Sequence, residues 1–144
     1  MNREKREQKL AAALRAIIII LIIVVLATVT FFSFSYYLDL HNARTALYQA
    51  KTTRLAAWSI SIQCYGASGS FSDMSSEDGF ADGVSEKIKE LSLCEGEPRL
   101  VRTKDNGYGI AEMTYSDGDY TVVYKSDSDA DSWQVYKKSV LITS

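Results

Sequence analysis

The sequence predicts an α+β protein: a long N-terminal helix, a short second helix and a four-stranded antiparallel sheet. Three observations predict it. From Ala16 to Leu38 the chain carries no charge, no Pro and no Gly, and from Ala16 to Leu26 it is apolar without exception. From Asp39 to Gln63 apolar residues recur at alternating steps of three and four, the period of a helix face. Beyond Pro98 the period shortens to that of a strand, with Asp-Asn-Gly and Asp-Gly between the runs, the residues that tight hairpin turns demand.

The first element is a membrane span. A helix rising about 1.5 Å per residue crosses a bilayer core of about 30 Å with a run of this length. Residues 1–15 carry Arg3, Lys5, Arg6, Lys9 and Arg15 against Glu4 and Glu7, whereas acids outnumber bases from Gln63 onward. Lys and Arg beside a span are retained in the cytoplasm. Residues 1–15 are therefore expected to be a cytoplasmic basic tail, 16–38 to span the cell membrane, and everything after to be extracytoplasmic. A secretory signal has an apolar core of about 7–15 residues and then a small-residue cleavage site. Here the run is longer and ends in Phe31, Phe32, Phe34, Tyr36 and Tyr37, which suit an interfacial belt. The span reads as an uncleaved anchor, with membrane lipid as a partner. The tail's bases are a topogenic signal near lipid head groups, and no nucleic-acid partner is expected.

Nothing stops the helix at the membrane surface. Leu40, Ala43, Leu47, Ala50, Ala57, Ile60 and Cys64 form a stripe interrupted by Arg54. One helix is expected from about residue 5 to 63, its outer part at 39–66. A narrow stripe of small residues lets a sheet or a neighbouring helix approach closely. Tyr65-Gly66 ends the helix, with Gly66 in the left-handed position after the last turn. Trp58 is expected to pack under the sheet.

Residues 67–144 make one small domain. The Ser-, Gly- and Asp-rich stretch Ala67–Gly79 reads as a loop. Ser75 or Ser76 is placed to cap a second helix in which Phe80, Val84, Ile88 and Leu91 share a face, while Glu86, Lys87, Lys89 and Glu90 face water. This helix closes at Cys94. Four strands follow at about 99–103, 108–115, 119–125 and 132–142. In the third, Tyr120, Val122 and Tyr124 alternate with Thr121, Val123 and Lys125, and Met113 and Tyr115 match them from the second.

Sites of chemistry are few. Cys64 and Cys94 are the only cysteines and His41 the only histidine, so a disulfide is expected in preference to a zinc site that needs about four such ligands. It would stabilise a small domain by about 2–4 kcal/mol; the alternative is two reduced thiols. Asp127, Asp129 and Asp131 place carboxylates at alternate positions and offer oxygens to calcium. Ser132 and Lys138 stand where an EF-hand loop needs Gly and Glu, which excludes that motif; the alternative is a solvated acidic turn. No other cofactor is implied. There is no G-x-S-x-G, phosphate loop or H-E-x-x-H, and His41 lies just beyond the span, so the chain is not expected to be an enzyme. Tyr108, Tyr115, Tyr120, Tyr124, Trp133 and Tyr136 are read as sheet packing rather than as a ligand strip.

A long apolar helix, a variable loop with a small helix and a C-terminal sheet, in this order, resembles the type IV pilin and pseudopilin family. The resemblance covers the whole chain in layout. It implies a structural subunit, a minor or accessory component of an extracellular filament or of a secretion or DNA-uptake pseudopilus. The partners would be further copies or other pilin-like subunits. Assembly would then run through Ile17, Ile20, Val24 and Ala27 in the span and Leu40, Ala43, Leu47, Ala50 and Ala57 beyond it. Family members carry a basic leader ending in Gly or Ala, then Phe or Met, then Glu as the fifth residue of the mature helix. This chain has Ala11-Ala12-Ala13-Leu14-Arg15-Ala16 at that place and no Glu within the span. The other reading is a stand-alone membrane-anchored extracytoplasmic binding or accessory module that does not assemble.

Overall fold

A computed structural model describes residues 2–127 and 130–144. The protein is α+β, with α1 (Asn2–Gly66), α2 (Val84–Ser92) and five strands, β1 (Glu97–Lys104), β2 (Gly109–Asp117), β3 (Tyr120–Ser126), β4 (Asp131–Lys137) and β5 (Val140–Thr143). The strands form one antiparallel sheet in sequence order. The chain divides into two units, Met1–Asp39 and Leu40–Ser144.

The first unit is helix alone. Its large apolar side chains, Ile17, Ile20 and Val24 among them, are exposed. The hydroxyls of Thr28 and Thr30 donate to the carbonyls of Val25 and Leu26, at 2.8 Å in each case. These polar side chains therefore bring no unpaired hydroxyl proton into the apolar stretch. Among the described residues this is the one helix long and apolar enough to cross a membrane, and it is compatible with a membrane anchor.

In the second unit the sheet packs on α1 through two cross-strand rows. Leu100, Met113, Tyr124 and Trp133 are register partners in turn across β1 to β4, as are Pro98, Tyr115, Val122 and Val135. The first row packs in one cluster with Ala56, Ala57 and Ile60, joined by Phe71, Phe80, Val84 and Ile88 from the loop and α2. Tyr115, Val122 and Val135 of the second row pack with Ala43, Ala46 and Ala50. Side chains no larger than a methyl along α1 let the inward tyrosines and Met113 reach close to the helix backbone, and dense contact follows.

Four local expectations need correction. The helix ends in a Schellman motif whose left-handed residue is Ser68 (φ 56°), not Gly66. Gly69 N–H reaches Cys64 O at 2.8 Å and Ser68 N–H reaches Tyr65 O at 3.2 Å, the two bonds that define this cap. The second helix begins only at Val84, after Gly83 at φ 74°. Ser75 and Ser76 instead brace the loop, Ser75 through Asp73 and Ser76 through Asp78 and the Gly79 N–H. The buried face of α2 is Val84, Ile88 and Ser92, leaving Leu91 one step off it and half exposed. The expected fourth strand is two strands, because Lys138 and Ser139 turn left-handed (φ 46° and 71°) between β4 and β5. The Lys138 N–H bonds to Asp119 O at 3.1 Å and its ammonium stands 3.4 Å from the Asp119 carboxylate.

The cysteines are both free. Cys64 packs against the cluster around Ile60, and Cys94 against the cluster around Ala50, its Sγ 3.7 Å from Gln49 O. Gln49 and Cys64 are separated by about 22 Å of helix at about 1.5 Å per residue, while a disulfide needs Cα atoms within about 7 Å. The expected Cys64–Cys94 bridge is absent because the two residues serve opposite ends of the core.

Candidate functional site

Helix α1 presents two different faces within the second unit. Ala43, Ala50 and Ala57 are fully buried beneath the sheet, and Leu40 and Leu47 are half-buried. The stripe expected to meet neighbouring subunits is thus already covered by the protein's own strands. Arg54, which interrupts that stripe, also turns under the sheet. Its guanidinium donates to the Tyr124 hydroxyl at 2.8 Å and stands 3.5 Å from the Asp131 carboxylate.

The uncovered face carries Tyr48, Leu55, Trp58, Ile62 and Tyr65, spaced by seven, three, four and three residues. Each is more than half exposed, from 51% for Ile62 to 73% for Tyr48. At about 100° per residue this stripe lies about a third of a turn around α1 from Ala43, Ala50 and Ala57, on a flank of the helix that the sheet leaves open. Trp58, expected under the sheet, belongs to it. The signal was present in the sequence as heptad spacing, but the shorter Ala stripe has the same period and only packing separates them.

At one end of this face lies a groove of about 210 Å³, lined by Trp58, Ser61, Ile62 and Tyr65 of α1 and by Asp105, Tyr108 and Gly109. Tyr108 is fixed at three points. Its hydroxyl donates to Gly69 O at 2.8 Å, its carbonyl accepts from the Ser61 hydroxyl, and its ring meets Tyr65 edge-on with centroids 5.2 Å apart. Asp105, Asn106 and Gly107 all have positive φ (54°, 56° and 92°), and the Ser72 hydroxyl braces the turn by donating to Gly107 O at 2.8 Å. The Asp105 carboxylate lies over Gly109, where a Cβ would stand 2.4 Å from Oδ2. Only glycine leaves room for the carboxylate at that place.

Of the acidic loop's carboxylates, the two described ones go to different partners. Asp131 pairs with Arg54, and the Asp127 carboxylate stands 4.0 Å from Arg102; Asp129 lies outside the described residues. Among the described residues no group of three or more His, Cys, Asp or Glu could hold a metal ion. Tyr115 and Tyr124 are core residues, the Tyr115 hydroxyl accepting from Gly96 N–H at 3.0 Å. Burial raises the pKa of Tyr115 above the usual phenol value, so it stays protonated. No protein-family model, curated protein or solved structure matches this chain.

Proposed function

We propose that the chain is a membrane-anchored structural subunit, pilin-like in layout, that assembles through its N-terminal helix as a minor or accessory component of a filament or pseudopilus. The observation that carries this reading is the large apolar side chains that α1 leaves uncovered beyond the apolar run, Tyr48, Leu55, Trp58, Ile62 and Tyr65. A monomer usually leaves no more than a few hundred Å² of contiguous apolar surface to water, and heptad spacing suits a neighbouring helix. Assembly then proceeds by lateral packing of helices, with loss of lipid contact around Ile17, Ile20, Val24 and Ala27 offset by contact between subunits. The basic residues before the span favour a cytoplasmic N-terminus and an extracytoplasmic C-terminal domain.

The test is crosslinking in native membranes at native expression. Leu55→Cys or Tyr48→Cys, in a Cys64→Ser, Cys94→Ser background, is expected to give dimers and higher species. Ala43→Cys, buried under the sheet, serves as the silent control. N-terminal sequencing of assembled material adds a second readout, since an intact Met1 there would rule out leader removal. Monomers alone would favour the second reading, a stand-alone anchored binding module. The built groove beside Trp58 speaks for that reading.

A further inference from the structure

The groove beside Trp58 joins side chains of the exposed α1 face to Tyr108 and Asp105 from outside the helix, and helix packing has no use for that carboxylate. Its walls are aromatic, from Trp58, Tyr65 and Tyr108, with Ile62 adding apolar surface and Asp105 the one charge. Aromatic rings attract cations through their quadrupole, and a carboxylate adds a charge-assisted hydrogen bond. Apolar walls beside them suit the aliphatic stem on which a Lys or Arg carries its charge. Lys104, next in sequence to Asp105, does not fill this role, because its ammonium bonds the Ser126 hydroxyl at 2.8 Å. The volume of about 210 Å³ suits a single side chain and falls below the roughly 300–1,000 Å³ of small-molecule pockets.

The parts are also fixed before any ligand arrives. Tyr108 is held at its hydroxyl and its carbonyl, and the left-handed turn that carries Asp105 is braced by Ser72. Non-glycine residues in that region are uncommon, and Asp and Asn tolerate it best. The turn sets Asp105 over Gly109 and against the exposed face of α1.

We propose that this groove binds a lysine or arginine side chain presented by a protein partner docking along the exposed α1 face. The inference goes beyond the assembly reading and stands if that reading fails, because a side chain can enter the groove of a single copy.

The test uses the full chain, one copy per nanodisc, in phosphatidylglycerol so that no choline head group competes. 5-Fluorotryptophan labelling gives fluorine resonances for Trp58 and Trp133, assigned with Trp58→Phe. N-acetyl-lysine methylamide and N-acetyl-arginine methylamide are titrated beside their neutral isosteres, the norleucine and citrulline compounds, and beside phosphocholine. A saturable shift confined to the Trp58 resonance is expected for the lysine or arginine probe. The neutral isostere should bind roughly tenfold more weakly, and added salt should weaken the cationic probe. Asp105→Asn, which keeps the left-handed backbone, should reduce affinity at least about threefold. Binding of each cationic probe no tighter than that of its neutral isostere, an unchanged affinity in Asp105→Asn, or no saturable shift with either cationic probe would overturn the proposal. Tighter binding of phosphocholine than of both side chains would assign the groove to lipid head groups and overturn it as well.

Discussion

Replacing Arg54 with Met probes how α1 is held to the sheet. The guanidinium donates to the Tyr124 hydroxyl at 2.8 Å, stands 3.5 Å from the Asp131 carboxylate and has its carbon 4.6 Å from the centre of the Tyr124 ring. Methionine keeps an unbranched stem and removes all three interactions. Tyr124 is 1% exposed and its hydroxyl also bonds the Asp131 carboxylate, so the variant removes one charge-assisted hydrogen bond and leaves the other, at a cost of about 1.5–3 kcal/mol. The Asp131 pair is partly solvated and contributes about 0–1 kcal/mol. The contact with the ring adds about 0.5–1 kcal/mol. In the opposite direction, Arg54 Nε is buried without a partner, and its removal relieves about 1 kcal/mol or more. The net expectation is a loss of about 1–3 kcal/mol.

Urea unfolding of the full chain in micelles, followed by tryptophan fluorescence, measures it, since Trp133 packs 4.7 Å from the Tyr124 ring. A double-mutant cycle of Arg54→Met with Tyr124→Phe should give a coupling of about 1–2 kcal/mol. The same cycle with Asp131→Asn should stay below about 1 kcal/mol and shrink with salt. A larger coupling to Asp131 than to Tyr124 would refute the reasoning, because it would make the ion pair the main tie. The network also predicts a pH dependence. Burial acts to raise the Asp131 pKa, but hydrogen bonds with Tyr124 and Ser126 and the charge of Arg54 outweigh it and hold the carboxyl below its usual value. A group depressed in the folded state stabilises above its unfolded pKa, about 3.9, and that contribution disappears as pH falls through the folded value. Arg54→Met should therefore lose less stability than the parent on acidification below about pH 4.

Thr53→Val should stabilise the chain by about 1 kcal/mol in the same unfolding assay, because Thr53 Oγ1 is buried without a partner; destabilisation would mean that the hydroxyl is paired after all. Gly79→Ala should destabilise by more than about 2 kcal/mol, since Gly79 sits at φ 77° and a Cβ would stand 2.0 Å from Leu100 O. Iodoacetamide added to the denatured, unreduced protein should label both Cys64 and Cys94; an unlabelled pair on mass analysis would restore the disulfide. Val24→Lys should weaken membrane insertion by about 2.5–3.5 kcal/mol, read as release on carbonate extraction. Unchanged retention would remove the span from the anchor.

Much of the fold was legible because its local signals agree with its packing. The apolar run, the turn residues Asn106-Gly107 and Gly118, and the alternation Tyr120, Val122 and Tyr124 all carry their structural consequence in neighbouring residues. The fifth strand was not legible, because Lys138 and Ser139 carry no turn signature and are held left-handed by Asp119 from another hairpin. The start of α2 was misplaced for a similar reason. Ser75 and Ser76 suit a helix cap and a loop brace equally, and the bonds to Asp73 and Asp78 decide between them. Of the groove, only its separate residues could be read; nothing local connects Trp58 with Asp105.

By itself the sequence determined the α+β class, a helix long and apolar enough to cross a membrane, and the antiparallel meander. Those properties depend on period, length and turn chemistry, which are local. Only the tertiary structure decided which of two stripes on α1 meets the sheet, since both repeat with the same helical period. The Ala stripe lies inside because small side chains let Met113, Tyr115 and Tyr124 approach the helix, and the larger Leu55, Trp58, Ile62 and Tyr65 are left outside. The same choice kept the two cysteines apart and set Trp58 beside Asp105, because it fixed what each level of the helix can reach.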